Sequence, residues 1–105
     1  LGGHFVQGHI DCTAATLAVV EKNADLGLTF ELPGEYARYA VEKGSIAING
    51  VSLTIAALDA RSFTVWIIPH TRAATNLGDL RTGDRTNLEF DLLAKYTERL
   101  LSPQS

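Results

Sequence analysis

A chain of 105 residues that is 46% hydrophobic and 20% charged holds one compact globular domain with its own core. Its net charge of -3 excludes the basic footprint by which nucleic acid or an anionic membrane surface is bound. Cys12 is the single cysteine, so no intrachain disulfide can form and a reducing, cytoplasmic compartment is expected; no run approaches the ~20 apolar residues of a membrane-spanning helix.

The chain opens Leu1-Gly2-Gly3-His4 without Met and with no leader pattern, which suits a piece of a longer polypeptide. Phe5 to Val20 is rich in β-branched and apolar residues and reads as one long bent strand or two, with a bulge or close approach at Gly8. After a polar turn at Lys22-Asn23-Ala24-Asp25, Leu26, Leu28, Phe30 and Leu32 alternate with Gly27, Thr29 and Glu31 as in a half-buried strand, which Pro33-Gly34 ends. Tyr36, Tyr39 and Ala40 have helical spacing, so 35–41 reads as two helical turns across a barrel mouth. Ser45 to Ile55 contains Asn49-Gly50 between two alternating runs, the signature of a type I′ hairpin. A turn at Asp59-Ala60-Arg61-Ser62 leads into a strand from Phe63 to Ile68, closed by Pro69; 71–78 reads as a loop. Thr82-Gly83-Asp84 turns the chain into the strand 86–90, and Leu92 to Leu101 reads as a short helix. The expectation is an all-β fold, a six-stranded antiparallel Greek-key closed barrel over 1–92 with a short helix across one end, followed by a C-terminal helix and tail over 93–105.

Few residues advertise chemistry. His4, His9 and Cys12 are too few, and in a strand too badly phased, for a structural metal site. His9 and Asp11 share a strand face, so the carboxylate could bias the imidazole; a solvated surface pair fits the same spacing. Ser52 and Thr54 point away from the core face made by Val51, Leu53 and Ile55, either as solvated strand formers or as hydroxyls for a flat heterocycle in a shallow site. Asp91 precedes a helix and reads as an N-cap or as an acid–base group. Of Phe63 and Trp66, at odd separation, at least one belongs to the core.

Four ordered motifs go further. Gly2 to Asp11 (GGHFVQGHID), Lys43 to Thr54 (KGSIAINGVSLT), Ile67 to Thr71 with Thr75-Asn76-Leu77-Gly78, and Gly83 with Asn87 to Asp91 and Lys95-Tyr96 closely resemble the second lumazine-binding repeat of riboflavin synthases, over nearly the whole chain. The resemblance implies a full enzyme of two similar barrels and a C-terminal helix, a homotrimer whose active sites lie between the first barrel of one subunit and the second of another. This chain would be the second barrel, with the first barrel as its partner and a dimer as an option for the isolated piece. The resemblance also implies a 6,7-dimethyl-8-ribityllumazine ligand lined by Gly8, His9, Ile10, Lys43, Val51, Ser52, Leu53, Thr54, Ile68, Pro69, His70, Thr71, Arg72 and Ala73, with His9, Ser52 and Asp91 in catalysis and no metal or organic cofactor. The reaction is then the dismutation of two lumazines to riboflavin and 5-amino-6-ribitylamino-pyrimidinedione. A non-catalytic lumazine or flavin carrier built from the same repeat is the alternative, and an oligonucleotide-binding barrel ranks last because its basic residues are scattered among acids.

Overall fold

Period-two alternation sends one side chain of each pair into a common core, and six strands with this pattern close on themselves. The computed structural model describes residues 8–101. In order it has β1 (Cys12–Lys22), β2 (Asp25–Glu31), a 3-10 helix (Gly34–Tyr39), β3 (Ser45–Ile48), β4 (Val51–Leu58), β5 (Ser62–Ile67), α1 (Pro69–Ala74), a second 3-10 helix (Asn76–Asp79), β6 (Arg85–Phe90) and α2 (Leu92–Leu101). The strands form the expected closed six-stranded antiparallel barrel, in the order β1-β2-β5-β4-β3-β6. Leu28, Phe30, Ile46, Ile48, Ile55, Phe63, Val65, Ile67, Leu88 and Phe90 are all buried in it. Each contributes about 1.5–3 kcal/mol of apolar burial.

The turns follow their local chemistry. Asn49 and Gly50 have φ of 49° and 83°, the two left-handed positions that a type I′ hairpin demands, and Ile48 pairs with Val51 across them. Asp59 accepts from the backbone amides of Arg61 and Ser62, which hold its carboxyl below the ordinary carboxylate range. Trp66 and Phe63 divide as their odd separation requires: Phe63 is core, while Trp66 lies outside over Gly27, where an added Cβ would sit 2.8 Å from the indole.

Four expectations are corrected. Among the described residues the first strand begins at Cys12 and runs on to Lys22; 8–11 is not a strand, and the part of the expected strand over 5–7 lies outside the described residues. The bulge in β1 falls between Thr16 and Ala18 rather than at Gly8, so Leu17 is turned out to solvent. The helix across the mouth is a 3-10 helix that stops at Tyr39, because three residues per turn align Tyr36 and Tyr39 over the same ring. Tyr36 stacks on Phe90 at 5.6 Å between centroids with 2° between planes, and Tyr39 tilts against it. The predicted loop 71–78 is mostly helical: Pro69, which ends β5, has the fixed φ suited to the first position of α1. Among the described residues no helix is long and apolar enough to cross a membrane.

Thr16 faces the core just before the bulge, and among the described residues its buried hydroxyl has no hydrogen-bond partner. A buried unpaired hydroxyl costs roughly 1–3 kcal/mol. Thr16→Val should therefore raise stability by about 1 kcal/mol in urea denaturation; an unchanged or lower midpoint would show that the hydroxyl is paired.

Candidate functional site

The outer face of β6, β3 and β4 follows from the ladder register. Ala47 stands opposite both Glu89 and Ser52, and Ser45 opposite Thr54. Ser52 is half-buried and Thr54 exposed, while Leu53 and Ile55 fill the core, so the two hydroxyls face outward as the alternation predicts. Val51 is half-buried; Leu53 can reach an outside ligand only through its backbone. β4 pairs with β5 over Ile55 to Leu58, with a bulge, whereas β2 follows β5 as far as Ile67. Among the described residues, Val51 to Thr54 are thus in ladder pairing on the β3 side alone. That interruption lies between the predicted segments 51–54 and 68–73.

On the far side of the interruption, Ile68 is exposed and caps α1, followed by exposed Pro69, His70 and Ala73. Thr71 is half-buried, and its carbonyl accepts from Thr75 Oγ1 at 2.9 Å. Arg72 Nη1 reaches Glu21 Oε2 at 3.1 Å, and its stem runs so close to Gly78 that a Cβ there would meet it at 2.9 Å. Lys43 sits at φ 69°, a left-handed conformation uncommon for a residue other than glycine, and its amide donates to Ile55 O at 2.7 Å.

The segment 8–11 runs along β6. Gly8, at φ 80°, donates its amide to Glu89 Oε1 at 3.0 Å. Asp11 donates its amide to Leu88 O, accepts from Phe90 N on Oδ2 and pairs with Lys95 Nζ on Oδ1, all at 2.8 Å. Its carbonyl accepts from the Tyr36 hydroxyl at 2.9 Å. Asp11 is therefore engaged with β6 and α2, so the shared strand face expected for His9 and Asp11 is not formed. His9 and Ile10 are exposed between these attachments. His4 lies outside the described residues.

Asp91 acts as the default account of its position requires: Oδ1 accepts from Leu93 N at 2.9 Å at the start of α2. It also lines a groove of about 360 Å³ with Arg38, Tyr39, Ser45, Ala94 and Glu98. Gly8 and Ile10 line a different cavity, of about 250 Å³, with Ala47, Asn49 and Glu89. The two cavities are lined by successive outward residues of β3, Ser45 for one and Ala47 for the other, so His9, Ser52 and Asp91 are spread along one face rather than clustered at one point. The Cys12 thiol is pushed up to about 11, first by burial and then by Asp11 and Glu35, which leaves it protonated and unreactive near neutrality.

Sequence reasoning missed Asp11, Glu89 and Lys95 as the groups that fix the 8–11 segment. The sequence shows only a carboxylate, Glu89, at an outward strand position between Leu88 and Phe90; that it is buried to 7% exposure is decided by the fold.

The lumazine binding domain model matches residues 7–91. Riboflavin synthase of Mycobacterium bovis is 47% identical over 96% of this chain and 52% of its own length. Riboflavin synthase of Photobacterium phosphoreum is 38% identical over 95% of this chain and 46% of its own length. Among solved structures, LumP complexed with riboflavin covers 86% of this chain and 49% of its own at 26% identity and a TM-score of 0.80. LumP complexed with 6,7-dimethyl-8-(1'-D-ribityl) lumazine has the same TM-score at 24% identity, covering 86% of this chain and 51% of its own. The match over most of the chain, on a closed six-stranded barrel, makes this chain a member of the lumazine-binding domain family, spanning about half the length of the riboflavin synthases it resembles.

Proposed function

We propose that the chain is the second lumazine-binding repeat of a riboflavin synthase, and that it holds one 6,7-dimethyl-8-ribityllumazine on the outer face between β4 and α1. The observation that carries this is the interrupted β4–β5 ladder, flanked by the outward Ser52 and Thr54 on one side and Ile68 on the other. Two outward hydroxyls and an exposed aliphatic side chain, on either side of the place where β4 and β5 part, suit a flat, polar-edged heterocycle. The lumazine and riboflavin held by the structurally similar LumP support the same ligand class.

With a first barrel presenting a second lumazine, one substrate donates a four-carbon unit to the other. The products are riboflavin and 5-amino-6-ribitylamino-pyrimidinedione. The acidic C7 methyl makes this carbanion chemistry, so the protein's work is to juxtapose two substrates and move protons. His9 is the proton shuttle, Ser52 bonds the ring, and Asp91 orients from the groove at α2; no metal or organic cofactor enters. The proposed assembly is a cytoplasmic trimer; association of some kind is supported by α2, whose Leu92, Leu93, Tyr96, Leu100 and Leu101 are exposed on one short helix.

Fluorescence titration with lumazine or riboflavin tests the reading. A micromolar complex, roughly -8 kcal/mol, is expected. Ser52→Ala should weaken it by on the order of 1 kcal/mol, the worth of one neutral hydrogen bond. The absence of a saturable change up to millimolar ligand would remove the proposal.

A further inference from the structure

We propose that the Gly8–Asp11 segment is a strap pinned at both ends, and that Glu89 and Asp11 are the positioning residues through which His9 and Ile10 are presented to the ligand. The inference rests on the lumazine site proposed above. A glutamate on the outward face of a strand is ordinarily solvated, yet Glu89 is 7% exposed, and a buried carboxylate requires donors. Its Oε1 takes the Gly8 amide at 3.0 Å. Gly8 is needed there for its conformation rather than for space: its φ is 80°, and an added Cβ would meet nothing within 4 Å. At the other end Asp11 accepts from Phe90 N and Lys95 Nζ, so the strap is tied both to the strand that leads into Asp91 and to the helix that Asp91 caps.

Between these pins, His9 and Ile10 carry exposed side chains on a short, anchored backbone. Ile10 overhangs the cavity of about 250 Å³ beside Ala47, and Ala47 is the ladder partner of Ser52. The strap thus places its tip on the row Glu89–Ala47–Ser52, whose β4 end, Ser52, borders the place between β4 and α1 where the ring is proposed to lie. Both pins are charge-assisted hydrogen bonds, the kind whose geometry is held most tightly.

The test uses the 105-residue chain, with lumazine affinity by fluorescence and amide hydrogen exchange by NMR. Glu89→Leu should speed exchange of the Gly8 amide and weaken lumazine binding by about tenfold, as expected for a lost hydrogen bond to a charged group. Glu89→Gln keeps an acceptor oxygen and should restore both. Introduced into a His9→Ala/Ile10→Ala background, Glu89→Leu should cost no further affinity, because the tip through which it acts is gone. An equal loss in both backgrounds would reduce Glu89 to a structural role and overturn the proposal, as would an unchanged Gly8 exchange rate. If Glu89→Leu fails to fold, Lys95→Met makes the same comparison from the Asp11 end. Failure of the parent chain to bind lumazine would sink the ligand site; the exchange measurements, which need no ligand, would still decide whether Glu89 pins the strap.

Discussion

Riboflavin formation by this chain alone should be almost undetectable, and should rise to enzyme-like rates when a separately made first barrel is added. In the proposed dismutation two lumazines must meet face to face, yet the outer face described here offers one interrupted ladder and one set of outward hydroxyls. Proximity and orientation can supply ~7–11 kcal/mol of barrier reduction, and most of it depends on a second site facing the first. Two copies paired about a twofold axis could bring two grooves together, but each would lack whatever the first barrel contributes. The measurement is the appearance of riboflavin absorbance with the chain at several concentrations, with and without the first barrel. Full enzyme-level turnover from this chain alone would refute the two-barrel mechanism and show that one repeat, self-paired, supplies every catalytic group.

In the two-barrel enzyme, His9→Ala should lower kcat by ~10²-fold or more while leaving lumazine affinity within a few-fold, as expected when a proton shuttle is lost and the binding groups stay. The split follows from the proposed role of His9. His9 is exposed and is carried by a backbone fixed through Gly8 and Asp11, so removing its imidazole leaves the Glu89, Phe90 and Lys95 contacts of the strap in place. Steady-state kinetics on wild type and variant, alongside equilibrium titration with lumazine, separates the two effects. Intact turnover in His9→Ala would return this residue to a solvated surface histidine. A large loss of affinity with unchanged kcat would make it a binding group rather than a shuttle.

Much of the barrel was legible from local pattern. The alternation of Leu26, Leu28 and Phe30 produced β2, Asn49-Gly50 produced its hairpin, and the helical spacing of Leu92 to Leu101 produced α2 with matching ends. The outward set of Ser52 and Thr54 was equally legible, because a period of two admits only two faces and the apolar one must go inside. Less legible was 69–79, where turn-like residues hid α1 and a 3-10 helix; Pro69 was read as ending a strand when it also starts a helix.

What the sequence by itself determined, then, was the set of elements whose register is local, together with the family that its ordered motifs resemble. The tertiary structure alone decided what lies next to what. Asp11 and Lys95 are 84 positions apart, and Gly8 and Glu89 are 81, so no window of sequence shows that these charges meet. Closure of β1 against β6 brings them together, and burial then forces the carboxylates to find donors. The same closure ends the β4–β5 ladder at Ile55, since a bulge and the reach of β2 along β5 decide where it stops. Hydrophobic periodicity specifies which way a side chain points; only the closed barrel specifies which distant backbone it faces.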